Sequence, residues 1–367
     1  MDLVEIMQVY FSAGMIKPIF IRTARAVSAQ DSFNSNDLLQ PVRTLTGNRF
    51  TYLEPNYQDY FTIMQLRRMS RITRLGLVTA IECLRDAGDN RPEAIITGTG
   101  KGSLTDTEKF IHAVREFAEG TLNPTPFIQS TYNSLNGLIG LHHHINSYNS
   151  TYVHTGFSLE HALLDAAFQL NEQSIQTALV GSFEEMTPEH YIIKDKLDLW
   201  KKDIESPDAI MKSSPGAISG EGSFFFFLDF QQGAAPLQLV DMGLLFEPGE
   251  GAVLNAMDAM LKQQGLGWDQ LDVYLSGRNQ DSRYEHYYAE VENQLSEITH
   301  QLHFKHLSGE FDTAAGFGLW AAVRMAEKNQ LFPSLIRKQG SAPSLNYMLL
   351  YNQYYGKQHS IYLLKKT

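Results

Sequence analysis

Four groups of residues in this sequence have types and spacings that could carry chemistry. Gly98-Thr-Gly-Lys-Gly102 has the glycine density of a phosphate-cradling loop. A P-loop needs Ser or Thr directly after its lysine, and Gly102 stands there instead. The G-x-G-x-G spacing also lacks the third-glycine offset of a dinucleotide loop, so a tight strand-to-helix turn is expected. His142, His143 and His144 are consecutive. Neighbours on a helix point ~100° apart, so these three imidazoles do not converge on one ion, and no metal site is expected. Gly156-Phe-Ser158-Leu-Glu160 approaches the nucleophile elbow G-x-S-x-G, but Glu160 replaces the closing glycine. Ser158 is therefore expected to cap a helix. Cys83 is the single cysteine. With Arg85 as its nearest cation, it is expected to be a small buried hydrophobe rather than a nucleophile.

The elements that would position these groups alternate between period-two and period-3.6 patterns. A strand is predicted around Val9–Ala13, and residues 24–60 read as mostly loop. From Thr62 to Ala87 apolar residues recur at three-residue spacing (Ile63, Leu66, Met69, Ile72, Leu75, Val78, Ile81, Leu84), predicting one long helix that ends at Gly88. A strand over 93–98, a helix over 105–119, a helix over 127–145 and a strand near 151–155 follow. Next come a helix over 158–170, a strand over 177–181, and Ser223–Phe230, whose four consecutive phenylalanines predict a fully buried strand. After Gly233-Ala-Ala-Pro236 the alternation restarts. The pattern gives a strand at 237–242, a helix at 249–264, a strand at 271–276, helices at 283–300 and 312–329, and strands at 346–351 and 359–364. Such alternation implies an α/β protein with buried sheets, and the restart suggests two similar halves, 1–235 and 236–367.

Composition narrows the function classes. The chain has 367 residues, 43% hydrophobic and 19% charged, with a net charge of −11. That length supports a large core, and the charge disfavours nucleic-acid partners. One cysteine closes no internal disulfide and supplies no thiolate-rich metal cluster. The N-terminal MDLVEIMQVYF has early acids and no basic start or small-residue cleavage site, and the uncharged stretch 123–159 is too polar for a bilayer. A cytoplasmic location without a membrane span is expected.

Several segments in order resemble the β-ketoacyl synthases, the decarboxylating condensing enzymes of fatty-acid and polyketide synthesis. Leu66-Arg-Arg-Met-Ser-Arg71 and the helix ending Leu84-Arg-Asp-Ala-Gly88 resemble the family's "RRMDR … DAG" helix. Asn123-Pro-Thr-Pro-Phe127 with Ser130, Asn133 and Gly137 resembles the approach to its active site. Val180-Gly181 through Glu184, Thr187 and Pro188 resembles "GG-x-E … TP", and Gly220-Glu-Gly222 resembles "GEGAG". Ser308-Gly309, Ala314-Ala-Gly316 and Leu331-Phe-Pro333 resemble the late "TGH … GAAG" block and its continuation. The resemblance covers most of 62–335. It implies the thiolase-like fold: two similar α/β halves in a duplicated αβαβα five-layer core, ordinarily dimeric.

The family's reaction uses a cysteine that takes the acyl group as a thioester and two histidines that assist decarboxylation. Position by position, the resemblance puts Gly156 where the cysteine belongs, Ser276 at the first histidine and Glu310 at the second. Lys305 falls on the family's lysine, while the glycine-rich "GFGG" segment is degenerate in Leu350-Tyr-Asn-Gln-Tyr-Tyr-Gly356. Glycine forms no thioester, and an ionised glutamate repels a developing enolate. The resemblance therefore implies no catalytic set and no cofactor. It implies a chain-length-factor-like subunit that pairs with an intact ketosynthase, or with itself, in fatty-acid or polyketide/polyene synthesis. An acyl carrier protein is a further implied partner, being acidic and facing Arg67, Arg68, Arg71 and Arg74. The alternative is an acyltransferase or hydrolase with relocated chemistry at Ser158, His154 or Glu310.

Overall fold

The computed structural model describes residues 17–367 apart from 35–37, 118–119, 203 and 205. The strand expected at Val9–Ala13 lies outside the described residues. The first half of the chain holds strands β1 (Ile19–Val27), β2 (Ala94–Gly98), β3 (Tyr148–Tyr152), β4 (Thr177–Glu184) and β5 (Gly222–Asp229). Its helices are α1 (Ile63–Leu66), α2 (Arg71–Asp86), α3 (Leu104–Glu116), α4 (Pro124–Ser130), α5 (Ser134–His143), α6 (Ser158–Asn171), α7 (Pro188–Lys196) and α8 (Pro207–Ile210). The second half holds β6 (Leu237–Phe246), β7 (Val273–Ser276), β8 (His300–His303), β9 (Ile336–Lys338), β10 (Tyr347–Tyr354) and β11 (Gln358–Lys366). With them are α9 (Ala252–Gln263), α10 (Glu285–Glu292), α11 (Lys305–Ser308) and α12 (Ala315–Lys328).

The strands follow one another in the order β3-β2-β4-β5-β1-β6-β11-β10-β7-β8-β9. Outward from the central β1·β6 contact, the first half runs β1, β5, β4, β2, β3 and the second runs β6, β11, β10, β7, β8. Both are the first, fifth, fourth, second and third strands of their half once the short edge strand β9 is set aside. The pairings match too: β2 is parallel to β3 and β4, β7 is parallel to β8 and β10, and the remaining matched contacts are antiparallel.

Side-chain alternation sorts this sheet into layers. Phe224 and Phe226 of β5 turn into a central cluster with α6 and α12, while Phe225 and Phe227 turn outward onto α2 and α5. In the second half Leu350, Tyr362 and Leu364 face the central cluster, and Leu349, Tyr351, Ile361 and Leu363 face α9 and α10. The result is helix, sheet, helix, sheet, helix: the five-layer α/β core. Each fully buried phenylalanine contributes about 1.5–3 kcal/mol of transfer free energy, so the four-residue run anchors both faces of its sheet.

Several elements depart from the sequence expectation. The 62–87 helix is interrupted at Ser70, which adopts an extended ψ of 167° and starts α2 as its N-cap. The four residues between α1 and α2 keep the apolar spacing of Leu66, Met69 and Ile72, so periodicity did not reveal the break. The 127–145 helix is likewise divided, between α4 and α5. The 283–300 helix stops at Glu292; residues 293–299 form turns that lead into β8, a four-residue strand too short for its period to register. The stretch 24–60 read as loop begins inside β1. Helix α7 has no counterpart in the expectation, although Thr187 caps it and Pro188 starts it.

The motifs of the resemblance meet as structure. Arg71 at the head of α2 forms a two-pronged ion pair with fully buried Glu221, at 2.9 and 3.0 Å, and lies 3.7 Å above the Tyr52 ring. Glu221 also accepts the backbone N–H of Met186. Gly220 and Gly309 pack backbone to backbone: a Cβ on Gly309 would lie 2.6 Å from the Gly220 Cα. Arg71 is therefore committed to the fold, and Arg74 donates to the Met69 carbonyl. Of the four arginines expected to form a basic face, Arg67 and Arg68 are exposed without an ion pair among the described residues.

Candidate functional site

The site forms where the tip of the β10–β11 hairpin meets four other chain segments. They are the turn from β3 into α6, the end of β7, the loop from α11 into α12, and the turn after β2. Gly277 N–H donates to the Tyr351 carbonyl, Lys305 Nζ to the Gln353 carbonyl, and Gly156 N–H to Gln358 Oε1 at 2.9 Å. One hairpin thus gathers Gly156, Ser276, Lys305 and Glu310, four residues far apart in sequence.

At the β3–α6 turn, Thr155 holds a left-handed φ of 46°, a strained conformation for a β-branched residue. Gln358 stabilises it: its Oε1 accepts from Thr155 Oγ1 and Gly156 N, and its Nε2 donates to the His154 carbonyl. Gly156 itself has no room for a side chain. A Cβ there would lie 2.6 Å from the Tyr354 Cβ and 2.8 Å from Gln358 Oε1. The Tyr354 hydroxyl accepts from Lys194 Nζ at 3.1 Å, and Lys194 also reaches Asp312 at 3.4 Å. The space beside the turn is filled by tyrosine.

Ser276 is buried at the end of β7, where its hydroxyl accepts the Arg278 N–H. Beside it lies a dry ionic contact: Lys305 Nζ to Glu310 Oε2 at 2.7 Å, with the two side chains 0% and 1% exposed. Asn279 Nδ2 donates to the same oxygen at 2.7 Å, and Glu310 Oε1 has no partner among the described residues. Burial lowers the Lys305 pKa and raises that of Glu310, each toward its neutral form. Burial works to raise Asp312, but the cations Lys194 and Lys101 outweigh it and hold the carboxyl below its usual range, whereas burial and the Asp312 charge push Glu184 up. Glu184 accepts the Gly100 N–H, so a carboxylate occupies the anion position of the Gly98–Gly102 turn. That turn packs tightly: a Cβ on Gly98 would lie 2.2 Å from the Ser158 backbone.

The other sequence candidates resolve into structural roles. Ser158 is fully buried and is the first residue of α6 rather than its N-cap. Its hydroxyl donates to the Thr155 and Thr99 carbonyls and accepts the His154 N–H, which leaves no base at its oxygen. The His154 ring turns instead to His161. Cys83 is buried against β1, and burial pushes its thiol up to about 12, far from a reactive thiolate. His144 closes α5 in a left-handed conformation, and the His142 ring stands edge-on to Phe61. Sequence reading met Glu184 and Tyr354 only as parts of motifs, and missed Lys194, Asp312 and Asn279 altogether. The available signal was the degenerate glycine segment 350–356, where Tyr354 brings a side chain against Gly156.

Glu160, in the first turn of α6, is a fully buried carboxyl that accepts from the Tyr362 hydroxyl at 2.8 Å. Burial raises its pKa to about 7. An unfolded glutamate titrates near 4.3, so between about pH 4 and 7 the folded chain keeps a proton that the unfolded chain has lost. Stability from this residue is therefore full below that range, falls as pH rises through it, and levels off above it. Glu160→Gln is expected to remove this slope and to gain up to about 3 kcal/mol over the parent at pH 8. Urea denaturation at pH 5 and pH 8 tests it; parallel pH profiles for the two proteins would contradict the assignment.

Comparison with known proteins adds the following. Residues 52–199 match the family profile described as beta-ketoacyl synthase, N-terminal domain. No curated protein matches the chain by sequence. Among solved structures, the chain is similar to a β-ketoacyl synthase from Burkholderia phymatum, at TM-score 0.75 and 14% identity, over 96% of this chain and 100% of that one. The ishigamide ketosynthase/chain length factor aligns at TM-score 0.75 and 12% identity, over 96% and 100%. The ketosynthase ApeO in complex with its chain length factor ApeC, from Xenorhabdus doucetiae, aligns at TM-score 0.71 and 14% identity, over 97% and 100%. At these identities the likeness is one of fold. Among the described residues, no helix is long and apolar enough to cross a membrane.

Proposed function

We propose that this chain, a member of the β-ketoacyl synthase family by its 52–199 match and its thiolase-like fold, is a non-condensing subunit that pairs with an intact ketosynthase. The observation that carries this reading is the steric closure at Gly156. The position where the resemblance requires a thiol abuts the Tyr354 Cβ, so the pocket that would receive an acyl thioester is filled from within. Ser276, Lys305 and Glu310 stand as remnant positions, and Lys305 and Glu310 are spent on a buried ion pair with each other. We divide the chain into its two halves between β5 and β6, at 235/236.

Pairing is supported by the free edge of the sheet. Among the described residues strand β3 ends the strand order, with one side of its backbone unpaired by them, an invitation to pairing with another chain. Around it Leu141 (72% exposed), Tyr148, Val153 and Tyr132 present apolar surface to solvent. Such a chain-length-factor-like subunit would shape the space into which the partner's acyl chain grows, in fatty-acid or polyketide synthesis. Arg67 and Arg68 remain free to meet an acidic carrier protein.

The test is co-purification of the full chain with ketosynthases encoded beside it. Capture of one, with a change in its product length, is expected. Leu141→Glu at the edge surface is expected to weaken capture at least tenfold, the effect of losing about 1.4 kcal/mol at an interface. A stable homodimer that captures no ketosynthase and changes no chain length would reject the reading. Relocated acyl transfer at Ser158, whose hydroxyl is already spent on backbone carbonyls, is expected to leave no covalent adduct by mass spectrometry after incubation with acyl thioesters.

A further inference from the structure

We propose that the oxygens enclosing the Lys201 ammonium form a cage for a monovalent cation of the potassium or ammonium type, whose resident ion the chain supplies itself. Lys201 is fully buried. Its Nζ donates to the Gln280 carbonyl at 2.7 Å, the Lys212 carbonyl at 2.8 Å and the Ser214 hydroxyl at 2.8 Å, with the Ser214 carbonyl at 3.3 Å. Buried lysines are ordinarily paired with an acid, and Lys305 and Lys194 follow that rule with Glu310 and Asp312. Lys201 instead is held by uncharged oxygens alone among the described residues. Asp281 and Glu285, the nearest acids, are engaged elsewhere, the first with Arg283 and the second with Ser213 and Arg278. Carbonyl oxygens converging on one charge in this way replace the hydration shell of a cation.

The cage is fixed by backbone contacts that do not involve the ammonium. Lys201 N–H donates to the Ala217 carbonyl at 2.9 Å, which anchors the root of the side chain. Ser214 N–H donates to the Gln280 carbonyl at 3.2 Å, and Ser282 N–H to the Ser214 carbonyl at 3.1 Å. Gln280 holds a left-handed φ of 60°, a sparsely populated conformation for a residue with a Cβ, and its carbonyl serves both Lys201 and Ser214. Three of the cage oxygens come from the first half of the chain and the fourth, of Gln280, from the second. The cation therefore bridges the halves, one residue from Asn279, which donates to Glu310. An ammonium on a lysine stem stays at a high local concentration, so the cage of the parent is filled whatever salt surrounds it. Removing the stem leaves a preformed ring of oxygens open to a free ion.

The experiment compares urea denaturation of the full chain in LiCl, KCl, NH4Cl and tetramethylammonium chloride at equal ionic strength. The differences among salts in the parent set the baseline. In lithium, Lys201→Ala is expected to lower the folding equilibrium constant about tenfold or more, because interior carbonyls lose their partner. Potassium or ammonium should recover most of that loss and saturate, whereas lithium and tetramethylammonium, too small and too large for the cage, recover none. If Lys201→Ala is unfolded in lithium, its folding in potassium, followed by circular dichroism, reads the same effect. Lys201→Met fills the space without a charge, so it should be destabilised as well and gain from no salt. No gain by Lys201→Ala over the parent baseline in potassium or ammonium would overturn the proposal. A Lys201→Met protein as stable as the parent would overturn it too, since the oxygens would then need no cation.

Discussion

Gly156→Cys is expected to yield a less stable protein that still forms no acyl thioester. The new Cβ would have to occupy a point 2.6 Å from the Tyr354 Cβ and 2.8 Å from Gln358 Oε1, distances that real side chains do not sustain. Tyr354 has little freedom to retreat: its hydroxyl is held by Lys194, and its backbone turns the β10–β11 hairpin. The alternative is displacement of the Thr155–Phe157 turn, which breaks the Gln358 clamp. Overpacking of this kind costs about 1–3 kcal/mol, and the contact is with atoms on or next to the backbone, which places it at the upper end. Melting should fall by several degrees. The thiol should also resist iodoacetamide and acyl thioesters, because the space for the electrophile holds the tyrosine ring. Tyr354→Ala does not relieve this, since alanine keeps the offending Cβ. Tyr354→Gly in the Gly156→Cys background should recover stability and expose the thiol. Rapid labelling of Gly156→Cys at unchanged melting temperature would show that the site is open and would remove the main support for a non-condensing role.

Glu310→Ala is expected to be the most destabilising substitution at the site. The carboxylate accepts from Lys305 and Asn279, both buried, and its removal strands an ammonium group whose remaining partner is the Gln353 carbonyl. Breaking a buried pair in this way costs about 3–5 kcal/mol, mostly the penalty of an uncompensated interior charge. Glu310→Gln keeps an oxygen acceptor and should cost less. Glu310→His, which supplies the residue of the related enzymes, should cost nearly as much as alanine and restore no condensation, since it leaves the Lys305 charge unanswered. The variant also has a pH signature. Burial already lowers the Lys305 pKa, and without Glu310 that depression deepens. Above its folded pKa the buried lysine is neutral while the unfolded one still holds its proton, so the stability of Glu310→Ala should climb with pH toward that of the parent. Urea midpoints from pH 7 to 10 measure this. A loss below about 1 kcal/mol, flat with pH, would mean that the pair is hydrated rather than dry.

Both expectations rest on contacts between distant parts of the chain, and there sequence and structure part company. The order of strands and helices was legible in most places because amphipathic periods record which face is buried. The four-phenylalanine run of β5 told of a strand covered on both sides, and Phe224 and Phe226 do face one layer while Phe225 and Phe227 face the other. The restart of alternation after residue 235 hinted at duplication, and the matched strand order around β1 and β6 displays it. Local signals failed where an element was too short or in phase with its neighbour, as at β8 and at the interruption before Ser70.

The site was half legible. Gly156, Ser276, Lys305 and Glu310 were singled out by the ordered motifs around them, and each could be read directly from the chain. The sequence by itself therefore determined which residue types stand at these positions, because a residue type is a local fact. What packs against them was decided by tertiary structure alone. Tyr354 reaches Gly156 across 198 positions, Lys194 reaches Tyr354 across 160, and Glu310 binds Asn279 across 31. No period or spacing encodes such meetings, since they depend on how a hairpin tip, a helix and two loops converge once the sheets have packed. The residue types at these positions were local facts, whereas the packing of Tyr354 against Gly156 belongs to the folded interior.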